Sequence, residues 1–433
     1  MGRTFSLDIA NKKRIYCKRA ARLPVATYPI LHPRPATLRR RPTRARQTSL
    51  TLFPQAARHG NCEPLNGASA PPPVPARSEK PATELVGIAR LAASSPLSEA
   101  KRGTEYFLLP VKSILNECHS ERVPFRWTVN PYRGCEFGCK YCYARYTHEY
   151  MEIDGTEFET KIYVKENAGA LAERDLSQEP VWGEHIALGT ATDPYQPAER
   201  EFKTTRAILE KMVLREGLSL SITTKSNQIV RDIDLLHRIS QRSALTIHMS
   251  ITTLRTRLAR QLEPRAPRPD LRLAAVRKLR DRGIAVGVNL MPILPGLTDR
   301  EGDLDALFKA VRDAGAQWIA ANVVFLMPAS WRSWMAFVDE SFPRLAERYR
   351  QWFKGYGDAP ESYRREISQR VEQLRRKYGL GSRPSRPETG RSWRSPQLEL
   401  DLGDLRDGGK RCLAQKGAVA SVSPEGLLEY KTV

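Results

Sequence analysis

The chain has 433 residues, with 70 Lys and Arg against 48 Asp and Glu for a formal net charge of +22, and seven cysteines. No run approaches the roughly eighteen apolar residues that a membrane span needs. The basic start also lacks the apolar stretch of a secretion signal, and the scattered Cys17, Cys62, Cys118 and Cys412 make no disulfide framework. The expectation is a chain of the reducing cytoplasm, without membrane contact.

Residues 1–80 hold sixteen Lys/Arg and only Asp8, Glu63 and Glu79 as acids, so +13 of the net charge lies there and the remainder is mildly basic. Arg39-Arg-Arg41, Pro71-Pro-Pro73 and the lack of apolar periodicity are features of a segment that cannot bury enough surface to offset its ordering entropy. Residues 1–103 are therefore expected to be a basic, largely disordered arm. Three readings of it stay open: a transit peptide, a nucleic-acid-binding arm, or upstream sequence from a mistaken start codon, not translated at all.

From about residue 125 to 325, β-rich runs alternate with amphipathic helical stretches, the pattern of βα units around a parallel sheet. Strands are expected at Arg126–Asn130, His185–Thr190, Leu218–Thr224, Leu245–Ile251, Ile284–Leu290 and Trp318–Val324. Helices are expected at Lys140–Glu149, Ala198–Arg215, Val230–Arg242, Pro269–Arg282 and Leu304–Ala314. Gly217 and Gly283 sit where helix-ending glycines belong. Six units are too few to close an eight-stranded barrel, and the fold class at this point is α/β around a parallel sheet. Its active site is expected at the carboxyl ends of the strands. Two charged amphipathic helices follow, Pro343–Phe353 and Glu361–Leu380, in a helical extension spanning 331–380. Residues 381–433 read as a flexible Gly/Pro/Ser-rich tail.

The first strand runs directly into Asn130-Pro-Tyr-Arg-Gly-Cys-Glu-Phe-Gly-Cys-Lys-Tyr-Cys-Tyr143, a C-x3-C-x2-C loop. Three thiolates so close together suit an iron–sulfur cluster. A [4Fe–4S] cluster normally takes four cysteines, so a triplet leaves one iron open to a non-protein ligand. A structural zinc site is the competing reading. It lacks a fourth ligand, since the nearest candidate is His148 and no second C-x-x-C pair exists. His148 and His185 are also the candidate acid–base histidines, but His185 opens its strand at the end opposite the active site and is expected to be structural.

The triplet, with Tyr141 before its last cysteine, resembles the radical S-adenosylmethionine (SAM) superfamily. That resemblance implies a partial (β/α)6 barrel and a cluster on Cys135, Cys139 and Cys142 whose open iron is chelated by SAM. It further implies reductive cleavage of SAM to a 5′-deoxyadenosyl radical, with electrons from a donor such as flavodoxin or ferredoxin. The alternative function is a non-catalytic electron carrier or redox sensor.

Four further segments resemble the spore photoproduct lyase branch and relatives labelled DNA repair photolyases, across about residues 104–330. They are Gly189-Thr-Ala-Thr-Asp-Pro-Tyr-Gln-Pro-Ala-Glu199, Ile222-Thr-Thr-Lys-Ser226, His248-Met-Ser-Ile-Thr-Thr253, and Leu262-Glu-Pro-Arg-Ala-Pro267 with Arg272-Leu273. This likeness implies SAM contacts from Thr192, Asp193, Lys225 and Ser250, adenine packing by Tyr141, and radical relay by Tyr143. An ammonium and a hydroxyl are suitable donors to a carboxylate in a partly dry cleft. Glu263 and Arg272 are expected to form an ion pair, either functional or scaffold. One departure matters: the lyase's hydrogen-donating cysteine is Thr190 here, a far poorer hydrogen-atom donor, and neither Cys118 nor Cys412 has positional support as its replacement. The branch and the basic arm suggest nucleic acid as substrate, and a duplex would have to have its target base extruded into the barrel. In the tail, Gln397-Leu-Glu-Leu-Asp-Leu402 resembles the peptide with which bacterial DNA-processing proteins dock on the sliding clamp.

Overall fold

The structure is a computed structural model, and it describes residues 84–384 apart from 102, 120–122 and 179–180, together with the backbone of 418–422 and 428–432. Most of the basic arm, Cys17, Cys62, Cys412 and Gln397–Leu402 lie outside the described residues.

Six parallel strands form the frame: β1 (Trp127–Val129), β2 (His185–Leu188), β3 (Ser219–Thr224), β4 (Ala244–Ser250), β5 (Ala285–Ile293) and β6 (Ile319–Val323). They lie side by side in chain order, with the short strand Leu115–Glu117 antiparallel on the outer edge of β1. This is the expected partial (β/α)6 barrel. Every residue of β4 is buried, as a strand covered on both faces requires. At the far edge, Ile319 N–H donates to Gly381 O at 3.1 Å, and Arg375 of helix Glu361–Tyr378 donates to Ile319 O at 2.9 Å. The returning chain thus occupies backbone groups that an open edge would leave unpaired.

Helix ends follow local chemistry. Helix Pro269–Asp281 opens on proline and is stopped by Gly283, whose φ of +74° suits glycine and whose N–H donates to Arg280 O at 2.8 Å. The expected helix Ala198–Arg215 is instead two pieces, Glu199–Phe202 and Thr204–Met212, broken at Lys203 with φ +51°. The cause is tertiary. The buried Glu199 carboxylate accepts Thr205 N–H at 2.7 Å and Arg206 N–H at 3.1 Å, capping the second piece, while Tyr132 donates to it at 2.5 Å. Likewise Lys140–Glu149 is not one helix: residues 140–142 belong to the cysteine loop, and only the short turns Tyr143–Arg145 and Tyr146–Glu149 follow.

The described chain starts earlier than the expected boundary at 103. Helix Gly87–Ser94 buries Ala89 and Ala92, and strand Leu97–Lys101 pairs with Thr104–Leu109. These strands, with Lys161–Lys165 and Tyr132–Arg133, make a four-stranded side sheet that sequence periodicity did not reveal. Helices Thr256–Leu262 and Pro328–Ser341 were also unforeseen. Within the tail, Ala418–Val422 pairs with Leu428–Thr432 as an antiparallel hairpin. No helix among the described residues is long and apolar enough to cross a membrane.

Candidate active site

The cysteine loop leaves the carboxyl end of β1 and is pinned from three sides. Cys135 N–H donates to Phe158 O at 3.0 Å, Lys140 N–H to Leu262 O at 3.0 Å, and Arg265 N–H to Phe137 O at 3.3 Å. Gly134 is required at its start: its φ is +84°, and a Cβ there would lie 2.7 Å from Lys161 O and 2.9 Å from Phe158 O. Glu136, buried in the loop, accepts Ala198 N–H at 2.7 Å and the Tyr106 hydroxyl at 2.9 Å, and its own N–H donates to Gln196. Nothing in the motif's spacing signals these braces, because their partners come from the side sheet and from the turn after β2.

Cys135 and Cys139 are buried and Cys142 is half-buried. Burial pushes all three thiols up, Cys139 to about 12, and for Cys135 the neighbouring Asp193 and the other two cysteines add to the effect. Lys225 opposes the rise at Cys139, and Arg145 and Lys225 do so at Cys142. Such thiols become thiolates when a cation binds them. Among the described residues no three His, Cys, Asp or Glu side chains converge on a point that could hold one metal ion. A zinc site needs four donors, and this loop brings three cysteines, the donor set that a [4Fe–4S] cluster with one open iron takes. The donor set fits the cluster.

The strand-end residues face this loop. Thr192 Oγ1 donates to Gly134 O at 2.6 Å and accepts from Gln196 Nε2 at 3.0 Å. Asp193 spends both carboxylate oxygens on the protein, accepting Tyr195 N–H, the Thr224 hydroxyl and Lys225 N–H at 2.9, 2.7 and 2.7 Å. Burial raises its pKa all the same. Thr192 therefore braces the cysteine loop, and Asp193 the end of β3. Lys225 places its ammonium 5.7 Å from the centre of the Tyr141 ring. Burial pulls its pKa down, but Cys139 and Glu263 outweigh that and hold it raised. Thr224 pairs with Met249, and Ser250 with Asn289, so Lys225, Ser250 and Asn289 fall in one row across β3, β4 and β5. Asn289 was not singled out from sequence. Among the described residues its buried Oδ1 has no hydrogen-bond partner, the kind of orphan that a ligand satisfies.

Tyr141 does not lie free for stacking alone. Its hydroxyl donates to Glu263 and lies 3.0 Å from Thr252 Oγ1. Glu263 and Arg272 form the expected ion pair at 2.5 Å, both about 1% exposed, and Arg272 also donates to Ser250 O at 3.0 Å and Pro267 O at 2.8 Å. Burial raises the Glu263 pKa, but Arg272 and Lys225 more than offset it, leaving it below the usual range. The pair thus joins the loop after β4 to the cysteine loop. Tyr143 donates to the Thr190 carbonyl, while Thr190 Oγ1 is held 3.2 Å from Asn130 Nδ2.

The histidines stand apart. His148 is fully buried, with Nε2 at 2.9 Å from Lys161 O, and burial lowers its pKa to about 4. His185 lies between Ser219 Oγ and Ser221 Oγ at 2.8 and 2.9 Å.

Comparison with known proteins agrees with this architecture. The family model described as the radical SAM superfamily matches residues 129–308. An uncharacterized protein of Mycobacterium bovis is 37% identical over 284 residues, covering 64% of this chain and 83% of that protein. One of Methanocaldococcus jannaschii is 32% identical over 176 residues, covering 41% and 63%. Among solved structures, a spore photoproduct lyase variant shares the fold with a TM-score of 0.50 at 17% identity, over 64% of this chain and 80% of that one. The chain belongs to the radical SAM superfamily.

Proposed function

We propose that this chain is a radical SAM enzyme in which Cys135, Cys139 and Cys142 hold a [4Fe–4S] cluster. Such a cluster, once reduced by a donor such as flavodoxin or ferredoxin, supplies the electron that splits bound SAM into methionine and a 5′-deoxyadenosyl radical. The observation that carries the reading is the convergence of Tyr141, Lys225, Glu263 and Cys139 at the carboxyl ends of the strands, with Asp193 beside Cys135.

In this reading Lys225 and Ser250 donate to the SAM carboxylate, and the Asn289 amide supplies a further polar contact. Thr192 and Asp193 contact SAM while bracing the loop, and Tyr141 offers its ring to the adenine. The Glu263–Arg272 pair fixes Tyr141 and the Ser250 backbone. An electron carrier would have no need of this row of polar groups.

For the substrate, the fold of the lyase and the basic charge favour damaged or modified nucleic acid. The lyase's own hydrogen-return route is not the one expected here. Thr190 stands in place of the thiol, and its hydroxyl is tied to Asn130. Tyr143, bonded to the Thr190 carbonyl, is the candidate for passing a hydrogen atom in its stead.

The test is anaerobic reconstitution with iron and sulfide, reduction in the presence of SAM, and assay of 5′-deoxyadenosine beside a Cys139→Ala control. Product that vanishes in the control is expected. A reduced, intact cluster that binds SAM but yields no 5′-deoxyadenosine, with or without nucleic acid present, would overturn the reading in favour of a carrier or sensor.

A further inference from the structure

Beside the cysteine loop, two cations make no ion pair among the described residues. Strand Tyr132–Arg133 runs antiparallel to Lys161–Lys165 with Arg133 opposite Tyr163. Arg133, Lys161, Tyr163 and Lys165 therefore share one face of the side sheet. Of the basic residues around this face, Arg145 is matched by Glu159 at 2.6 Å and Lys161 by Glu157 at 2.5 Å. Arg133 and Lys165 are not so matched. Arg133 Nε is buried with no hydrogen-bond partner among the described residues. Lys165 is 4% exposed, and its ammonium has no hydrogen bond or ion pair among the described residues.

Asp175 is the carboxylate whose charge reaches Lys165. It is already held by Ser113 Oγ and Ile114 N–H, each at 2.8 Å, and by Arg174 at 2.5 Å. Burial, and then the charge of Arg133, lower the Lys165 pKa to about 7. Two like charges taken out of water, with only a carboxylate already committed to other donors nearby, destabilise the fold that holds them. An arriving anion would remove that cost, and its binding would be strengthened accordingly.

The place is adjacent to the barrel mouth. Arg133 directly precedes Gly134 of the cysteine loop and is partly exposed, so solvent reaches it. Its charge acts on Tyr146, whose ring stacks on Tyr143 with centres 6.4 Å apart, and Tyr143 reaches the end of β2.

We propose that Arg133 and Lys165 form a receptor for a phosphate group, one side-chain layer outside the barrel mouth. A guanidinium offers a planar fork and an ammonium a point charge. A tetrahedral phosphate presents oxygens to both at once. Free phosphate and the phosphodiester of a nucleic-acid strand share this chemistry. The inference borrows from the proposed function only that the substrate enters at this mouth, and it is tested without SAM, reductant or turnover.

The experiment follows thermal unfolding of the full chain at constant ionic strength. The probes are inorganic phosphate, a short thymidine oligonucleotide, and the same oligonucleotide with neutral methylphosphonate linkages. Wild type is expected to gain stability with phosphate, the oligonucleotide or both. Lys165→Met is expected to be more stable than wild type without ligand, to bind at least about tenfold more weakly, and to load as much iron as wild type on reconstitution. Arg133→Met should weaken binding similarly. A response to the oligonucleotide that is lost with the methylphosphonate assigns the site to a strand; a response to phosphate alone assigns it to the free anion. No response of wild type to either charged probe overturns the proposal. So does a response retained in both variants, or undiminished with methylphosphonate.

Discussion

Arg272→Met tests whether the Glu263–Arg272 pair holds the site together. The guanidinium is almost fully buried and makes three hydrogen bonds, to Glu263, Ser250 O and Pro267 O. Methionine keeps much of the side-chain volume but leaves Glu263 charged in the interior, with Tyr141 and Thr252 as its remaining partners. Removing one partner of a buried pair costs about 3–5 kcal/mol. For a folded unit of this size that is on the order of 10 °C in melting temperature. Replacing both partners, in Glu263→Met with Arg272→Met, should recover part of the loss, because no charge is then stranded. Denaturant titration of the wild type, the two single variants and the double variant measures the coupling directly. The Glu263 carboxyl lies below its ordinary value when folded. Its contribution is therefore complete above the unfolded value of about 4.3 and fades as pH falls below that. At neutral pH the full cost of Arg272→Met is expected. A single variant within about 1 kcal/mol of wild type, or a double variant whose loss is the sum of the singles, would refute this account of the pair.

Gly134→Ala places a Cβ against two backbone carbonyls at positive φ; a loss of at least about 2 kcal/mol is expected, with reduced iron loading read by absorbance after reconstitution. Lys225→Met should weaken SAM binding to the reconstituted protein about 10- to 100-fold, the worth of a hydrogen bond to a charged group, as measured by equilibrium dialysis; unchanged affinity would remove Lys225 from the site. His148 is neutral in the fold with a pKa of about 4. Below pH 6.5 the unfolded chain takes up a proton that the folded chain does not, so about 3 kcal/mol of stability should drain away between pH 6.5 and 4. His148→Gln should flatten that slope in urea titrations, though only in part, since the His248 pKa is also lowered by burial.

What the sequence determined follows from periodicity and spacing. Parallel strands buried on both faces read as continuous apolar runs, so β2 to β6 were visible near their observed limits, and the cysteine loop was legible because its donors lie within eight residues of one another. Lys225 and Ser250 could be placed because a residue ending a barrel strand has its height in the barrel set by the strand itself. Only the tertiary structure decided the rest, wherever the determining partner is far away in the chain. The break at Lys203 depends on a Glu199 carboxylate held by Tyr132 and Arg231. The side sheet joins segments too short to carry a period, and it alone brings Arg133 beside Lys165. The orphaned Asn289 has no mark in sequence, since an asparagine inside a strand looks the same whether or not its partners arrive. Local patterns encode what neighbours along the chain can satisfy; unpaired charge and unmet hydrogen bonds emerge only when distant segments pack.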